Sequence, residues 1–215
     1  MITVDLGGTK ISFTSKKLLN FFKNYEKRGR LFFARTKDTN LLEFIDFLEK
    51  LDREEEVLLA IAGKVYYKRG NFYVKSDLFN LKKIKLDLTL VVNDVVSFGY
   101  YWGTKFNRVL ALQIGTGFNA IFFTRSLLGD FEYVINNPEF SYTFEDIDIE
   151  TIKKISFVFM PRYVVIGGGR AFLFKEYNNR IIDNGFVKFK IKIDSSYETN
   201  HKGLLKIYNT FKNIL

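Results

Sequence analysis

The sequence predicts an α/β protein made of two similar halves, and three observations carry that reading. A glycine turn inside an opening hairpin, Asp5-Leu6-Gly7-Gly8-Thr9-Lys10, is echoed half a chain later by Gln113-Ile114-Gly115-Thr116-Gly117-Phe118-Asn119. Each turn leads into an apolar run of strand type, Ile11-Ser12-Phe13 after the first and Ala120-Ile121-Phe122-Phe123 after the second. Continuous apolar runs that end in polar or glycine residues recur through both halves, the pattern of strands buried on both faces. Glycines let the backbone approach a ligand and turn its N–H groups outward, while a threonine hydroxyl adds a donor to an anion. Two such turns in equivalent halves predict a two-lobed nucleotide clamp.

In the first half, Ile2 to Val4 and Ile11 to Phe13 read as strands joined by the glycine turn, with Leu31-Phe32-Phe33-Ala34 as a third. Asn40 caps a helix in which Leu41, Leu42, Phe44, Ile45 and Leu48 recur at helical spacing, and Glu54-Glu55-Glu56 closes the connection. Val57 to Ala62, ending in Gly63, is a buried strand, followed by a hairpin around Gly70-Asn71. Leu88 to Val92 is another, and it delivers Asn93-Asp94 at its C-terminal end, where open α/β sheets place their ligands. The second half repeats the plan: a hairpin from Val109 to Ile114 and Ala120 to Thr124, a helix over Ile147 to Ile155, and a buried strand Tyr163 to Ile166 running into Gly167-Gly168-Gly169. A helix through Phe172, Phe174 and Tyr177, an alternating strand from Val187 to Ile193 and a last helix from about Gly203 to Phe211 complete the chain. With no Pro- or Ser-rich linker, the halves share a tight waist near Phe98 to Lys105, where Trp102 is expected to pack.

Hydrophobic residues form 47% of the 215-residue chain and aromatics 17%, with 24 Phe and 12 Tyr, so the core is built largely of rings and disorder is excluded. A chain of this length buries roughly 70% of its unfolded surface. The sequence has no cysteine, which excludes disulfides and thiolate metal sites and fits a reducing, cytoplasmic setting. The one histidine, His201, argues against a histidine-based zinc site and is expected to cap the last helix at the surface. Asp5 and Lys10 interrupt the N-terminus too early for a secretory segment, and no apolar stretch reaches the roughly 18 residues of a membrane span. The formal charge of +9 suits an anionic partner, nucleic acid or a phosphorylated small molecule, although Lys188, Lys190 and Lys192 are expected on the wet face of a strand.

These landmarks, in this order, resemble the sugar kinases of the ROK (repressor, open reading frame, kinase) family, within the actin, Hsp70 and hexokinase-like fold. Asp5-Leu6-Gly7-Gly8-Thr9-Lys10 is similar to that family's first phosphate motif, and Ala60-Ile61-Ala62-Gly63-Lys64-Val65 to its Ala-Gly-Pro-Val strand end, with lysine in the proline's place. Asn93-Asp94 resembles the pair that opens the catalytic helix, Gly115-Thr116-Gly117 the second phosphate motif, and Val164 to Gly169 the adenosine motif. The resemblance implies two actin-like, ribonuclease H-like lobes with mixed sheets around a nucleotide cleft. Residues 1–103 would form the N-terminal lobe, completed by the helix 203–215, and residues 104–202 the C-terminal lobe. It implies an ATP-dependent, Mg²⁺-requiring kinase acting on a hydroxyl of a sugar or sugar-like small molecule.

In that reading Asp94 is the catalytic base, and Gly63, Asn93, Asp94, Glu139 and Tyr142 bind substrate. Asp5, Gly7, Gly8, Thr9, Lys10, Gly115, Thr116, Gly117, Gly167, Gly168 and Gly169 bind nucleotide, with Asp5 holding Mg²⁺ through water. Departures from the family pattern are plain: Glu139-Phe140-Ser141-Tyr142 stands where Glu-x-Gly-His is usual, the cysteine-rich zinc segment is absent, and Phe118 replaces a small residue near the phosphates. No zinc, no membrane partner and no DNA-binding domain are expected, and a homodimer is compatible with the reading. The rival readings are a regulator that senses nucleotide or sugar without catalysis, and an actin-like ATPase with a protein partner.

Overall fold

The computed structural model of the chain describes residues 1–115, 118–125, 131–135, 147–183 and 185–212. It divides into two compact units, one of Met1–Ser97 with Tyr197–Leu215 and one of Phe98–Ser196.

The first unit opens with β1 (Ile2–Leu6), β2 (Lys10–Phe13), β3 (Glu26–Arg28) and β4 (Leu31–Arg35), followed by α1 (Leu41–Asp52) and β5 (Val57–Ile61). A three-stranded sheet of β6 (Lys64–Lys68), β7 (Asn71–Ser76) and β8 (Leu81–Leu86) comes next, then β9 (Leu90–Asn93) and α2 (Asp94–Gly103), whose first turn ends the unit's first segment. The main sheet has the order β3-β4-β2-β1-β5-β9, with β1, β5 and β9 parallel, so three C-terminal strand ends fall on one edge. Its centre is apolar throughout: Val57, Leu58, Leu59, Ala60 and Ile61 are wholly buried, as the continuous run in the sequence requires of a strand covered on both faces. Asn40 starts α1 by a reciprocal cap, its Nδ2 donating to Glu43 Oε1 at 2.7 Å while its Oδ1 accepts from Glu43 N.

The second unit repeats this order. β10 (Val109–Ile114) and β11 (Phe118–Arg125) form an antiparallel hairpin extended by β12 (Phe131–Ile135), α3 (Ile149–Phe159) crosses over, and β13 (Tyr163–Gly167) runs parallel to β10. β14 (Ile181–Asp183) and β15 (Lys188–Ile193) complete a sheet of order β12-β11-β10-β13-β15-β14. Thus β10, β11, β13 and β15 correspond to β1, β2, β5 and β9, and the glycine-turn echo marks a repeat of topology. Phe118 packs against the buried cluster of Leu112, Phe122 and Ile166. Trp102 donates to Asp194 Oδ2 at 2.8 Å and stacks on Phe106, which stacks on Tyr163, all within this unit.

Strands β3, β8, β12 and β14 have no counterpart in the sequence reading, α3 runs four residues beyond it, and two further helices are altered. The segment after the triple glycine is a 3₁₀ run over Ala171–Tyr177, not an α-helix. Its inward residues Ala171 and Phe174 are three apart, the 3₁₀ repeat, while Phe172 and Leu173 are 67% and 56% exposed. The last helix, α4 (Thr199–Phe211), begins four residues before the apolar pattern does, because its first turn packs through polar side chains.

His201 lies inside that turn and is buried, with Nδ1 2.8 Å from Thr3 Oγ1 and Nε2 2.8 Å from Ser12 Oγ. It is therefore a core histidine and not a surface cap. Burial pushes its pKa down to about 4 from the ordinary 6.5. Because the folded value is depressed, the stability linked to the neutral ring is complete above pH 6.5 and is lost as pH falls towards 4, at a cost of about 3 kcal/mol. We expect His201→Gln to flatten the fall in melting temperature between pH 6.5 and 4; an unchanged slope in thermal denaturation across that range would assign the acid sensitivity to other groups.

Candidate active site

Cross-strand register sets the site in the first unit. Asp5 stands opposite Ala60, and Ile61 opposite Asn93, so Asp5, Gly63 and the Asn93-Asp94 pair reach the same edge of the main sheet. Gly63 is demanded by packing: a Cβ there would lie 2.8 Å from both the Lys75 carbonyl and Ser76 Cβ. Its own carbonyl accepts from Asn93 Nδ2 at 2.6 Å. Asn93 Oδ1 and Asp94 Oδ1 both accept from Val95 N at 2.9 Å, which fixes the two side chains at the start of α2.

Both carboxyl groups are held above their ordinary range. Burial raises Asp94 to about 6, offset in part by backbone N–H groups that favour its charged form. Burial raises Asp5 to about 7, the charge of Asp94 pushes in the same direction, and Asn200 opposes it. The two carboxyl groups are like charges near one another, so they titrate as a pair whose ionisation is resisted by burial and by mutual repulsion.

Asn200 is a residue that sequence reasoning missed. From the first turn of α4 its Nδ2 donates to Asp5 Oδ2 at 3.0 Å, while Asp5 Oδ1 is buried and has no hydrogen-bond partner among the described residues. One carboxylate oxygen is thus fixed and the other is not. Helix and strand are 195 residues apart in sequence, so no local pattern announced the contact.

Thr36, just after β4, was missed as well, and it fixes the first glycine turn. Its Oγ1 donates to the Gly7 carbonyl at 2.8 Å and its N–H to the Thr9 carbonyl at 3.2 Å, while Gly7 N closes the hairpin on the Lys10 carbonyl at 3.0 Å. With those carbonyls drawn to Thr36, no partner is found among the described residues for the N–H groups of Gly8 and Thr9. A turn whose carbonyls are tied back and whose N–H groups are open is a receptor for an anion. Lys10 follows the turn, exposed, with Nζ 5.8 Å from the centre of the Tyr197 ring.

In the second unit the glycines separate into two kinds. A Cβ on Gly167 would strike the Phe98 ring at 2.4 Å, and Gly168 combines φ +91° with a Cβ position 2.5 Å from the Ile114 carbonyl oxygen, so the fold itself requires both. At Gly115 and Gly169 a Cβ would meet nothing within 4 Å, which leaves bare backbone facing open space. Thr116, Gly117, Glu139 and Tyr142 lie outside the described residues.

No family model matches this sequence, and no curated protein does. Solved structures do match it, and they show the fold: the chain shares its α/β fold with ROK-family sugar kinases. It is similar to a ROK family glucokinase from Streptomyces griseus in complex with glucose and AMPPNP (TM-score 0.62, 13% identity, 98% of this chain and 99% of that one). An inorganic polyphosphate/ATP-glucomannokinase from Arthrobacter sp. strain KM gives a TM-score of 0.59 at 16% identity, over 98% of both chains. A ROK family protein from Streptococcus pneumoniae in complex with sucrose gives 0.56 at 13% identity, over 99% of this chain and 100% of that one.

The carboxylate pair has a measurable consequence without any ligand. Because the folded pKa of Asp5 is raised, its contribution to stability is complete below the ordinary value of 3.8 and is lost as pH rises through about 7. Asp5→Asn keeps an acceptor for Asn200 and removes the charge. Its melting temperature should exceed that of the wild type at pH 8 and not at pH 4; the reverse order in a calorimetric scan would contradict the assignment.

Proposed function

We propose that this protein is an ATP-dependent kinase that transfers a phosphoryl group to a hydroxyl of a sugar or sugar-like small molecule. The observation that carries the reading is the placement of Asp94, a desolvated carboxylate fixed at a parallel strand end beside Asn93 and close enough to Asp5 for their charges to interact. A base held near the working pH suits proton abstraction from an alcohol. The acceptor's hydroxyl oxygen attacks the γ-phosphorus, the bond from that phosphorus to the bridging oxygen breaks, ADP leaves, and the proton passes to Asp94. Asn93 holds a neighbouring hydroxyl. The open Gly8 and Thr9 N–H groups of the first unit take phosphate oxygens; taken by itself, the second unit offers bare backbone to a nucleotide at Gly115 and Gly169. Glu139 and Tyr142 would add sugar contacts.

The donor set also fits Mg²⁺. This ion keeps most of its water and needs only one or two carboxylates beside substrate phosphates, and Asp5 offers a buried oxygen with no hydrogen-bond partner among the described residues. Bound there, the ion would neutralise charge on the phosphates and favour the ionised form of both carboxyl groups. Resemblance of fold to kinases described with glucose and AMPPNP supports a sugar acceptor and a nucleoside triphosphate donor.

Two experiments test the proposal. With ATP, Mg²⁺ and a panel of hexoses, Asp94→Asn should lower kcat by about 10²- to 10⁴-fold and leave nucleotide affinity nearly unchanged. In the wild type kcat/KM should fall with acid below pH about 6, where Asp94 takes up its proton. Equal turnover in variant and wild type would remove Asp94 from the chemistry.

Thr36→Val keeps shape and removes the hydroxyl donor to Gly7. The loosened turn should bind ATP about 10-fold more weakly, in line with loss of one buried hydrogen bond, whereas Thr36→Ser should bind as the wild type does. Calorimetric titration of the three proteins separates this from a loss of folding, and equal affinities would dismiss the brace.

A further inference from the structure

The proposed chemistry leaves the net charge of +9 unexplained, and one dense share of it lies in the small sheet of β6, β7 and β8. Residues 64–86 hold seven lysine or arginine residues and a single acid, Asp77. Strand pairing sorts them. Phe72 and Val74 are buried with Leu86 on the inner face, while Lys64 stands directly opposite Lys75 and Tyr66 opposite Tyr73 on the outer one. Tyr73 is in turn opposite Lys85. A register shift adds to the outer face: Val74 pairs with Ile84 and Ser76 with Leu81, so Lys82 and Lys83 both stand against Lys75. Lys83 Nζ lies 5.0 Å from the centre of the Tyr73 ring.

These lysines are exposed, and no ion pair to any of them is found among the described residues. Lysines on β6 and β8 have an ordinary use, since edge strands carry charge against unwanted pairing. That use does not reach Lys75, which lies on the central strand β7 with Lys64 directly opposite, an arrangement that like-charge repulsion makes unfavourable. Nor does it explain Tyr66, 48% exposed beside Tyr73 in the middle of the cationic face. Two opposed rings flanked by lysines match a chain whose planar groups alternate with phosphates.

We propose that the outer face of this sheet binds single-stranded nucleic acid, with bases stacked on Tyr66 and Tyr73 and phosphates held by Lys64, Lys75 and Lys83. Stacking on an aromatic platform with flanking cations needs unpaired bases, which a duplex does not offer. A lipid surface would favour apolar residues projecting among the lysines, and the paired positions of this face offer tyrosines instead. The inference is independent of the kinase reading, because none of these residues belongs to the proposed active site.

The test is fluorescence anisotropy with a labelled 12-nucleotide oligo(dT), the same length of duplex DNA, and vesicles containing phosphatidylserine, using the full chain throughout. We expect binding to the single strand above the other two. Lys64→Gln with Lys75→Gln should weaken it roughly 10-fold and lower the salt slope by about 1.4, two phosphate contacts at about 0.7 each. Tyr66→Ala should weaken it by about 5-fold or more with the slope unchanged. Lys188→Gln with Lys190→Gln removes the same charge elsewhere and should change little. No binding, equal losses from both lysine pairs, an inert Tyr66→Ala, or preference for duplex or vesicles would each overturn the proposal. Circular dichroism of every variant verifies folding.

Discussion

The return of the C-terminal helix to the first strand is the constraint on which the candidate site depends. Gly203 of α4 comes so close to the first turn of α2 that a Cβ would lie 1.9 Å from the Ser97 carbonyl oxygen. The same helix places Asn200 on Asp5 and His201 between Thr3 and Ser12. One element thereby fixes Asp5 through a side chain and packs closely against the turn that Asp94 opens. Leu204 and Ile207 supply the apolar burial, but they would tolerate some sliding of a helix along a sheet. The hydrogen bonds would not, since a shift of one residue turns Asn200 and His201 by about 100° away from their partners. Polar contacts here select the register, and apolar contacts supply the driving force.

Repetition of one topology in both units explains why the chain can be short and still carry two glycine turns at equivalent places. A parallel pair with a helical crossover creates a strand end where backbone groups are exposed, and the preceding hairpin brings its bend to that end. What distinguishes the copies is the use made of the edge. In the first unit β9 ends in Asn93-Asp94, whereas β15 ends in Asp194, whose side chain accepts from Trp102 and Ser196 N. The second carboxylate is used for packing, and the first is not.

Much of the architecture was legible because it rests on apolar periodicity. Strands such as Val57–Ile61 and Tyr163–Gly167 announce themselves as continuous apolar runs, and Asn40 announces α1 through a local cap. The residues that escaped notice are polar ones with distant partners. Thr36 and Asn200 look like ordinary loop and cap residues until a strand 29 or 195 positions away is folded against them. His201 misled for the same reason: its neighbours Glu198, Asn200 and Lys202 are polar, so a local reading places it in water. The triple glycine was legible as a turn, but its division into Gly168, which needs a positive φ, and Gly169, which does not, depends on Ile114 across the sheet. The 3₁₀ run beyond it failed as a helix because its buried residues repeat every three positions.

Keeping Asp5 and Asp94 together is unfavourable for the isolated fold, since burial and mutual repulsion both oppose their ionisation at neutral pH. The surrounding structure does little to relieve this. Asn200 satisfies one oxygen of Asp5, and two backbone N–H groups assist Asp94, yet no lysine or arginine is found paired with either among the described residues. A cation from the protein would make the fold more stable and would also occupy the oxygen that Asp5 leaves open. Local instability of this kind concentrates where a site must be completed by something from outside. The chain is rich in lysine, so the absence of a lysine partner at this edge is a property of the arrangement and not of the composition.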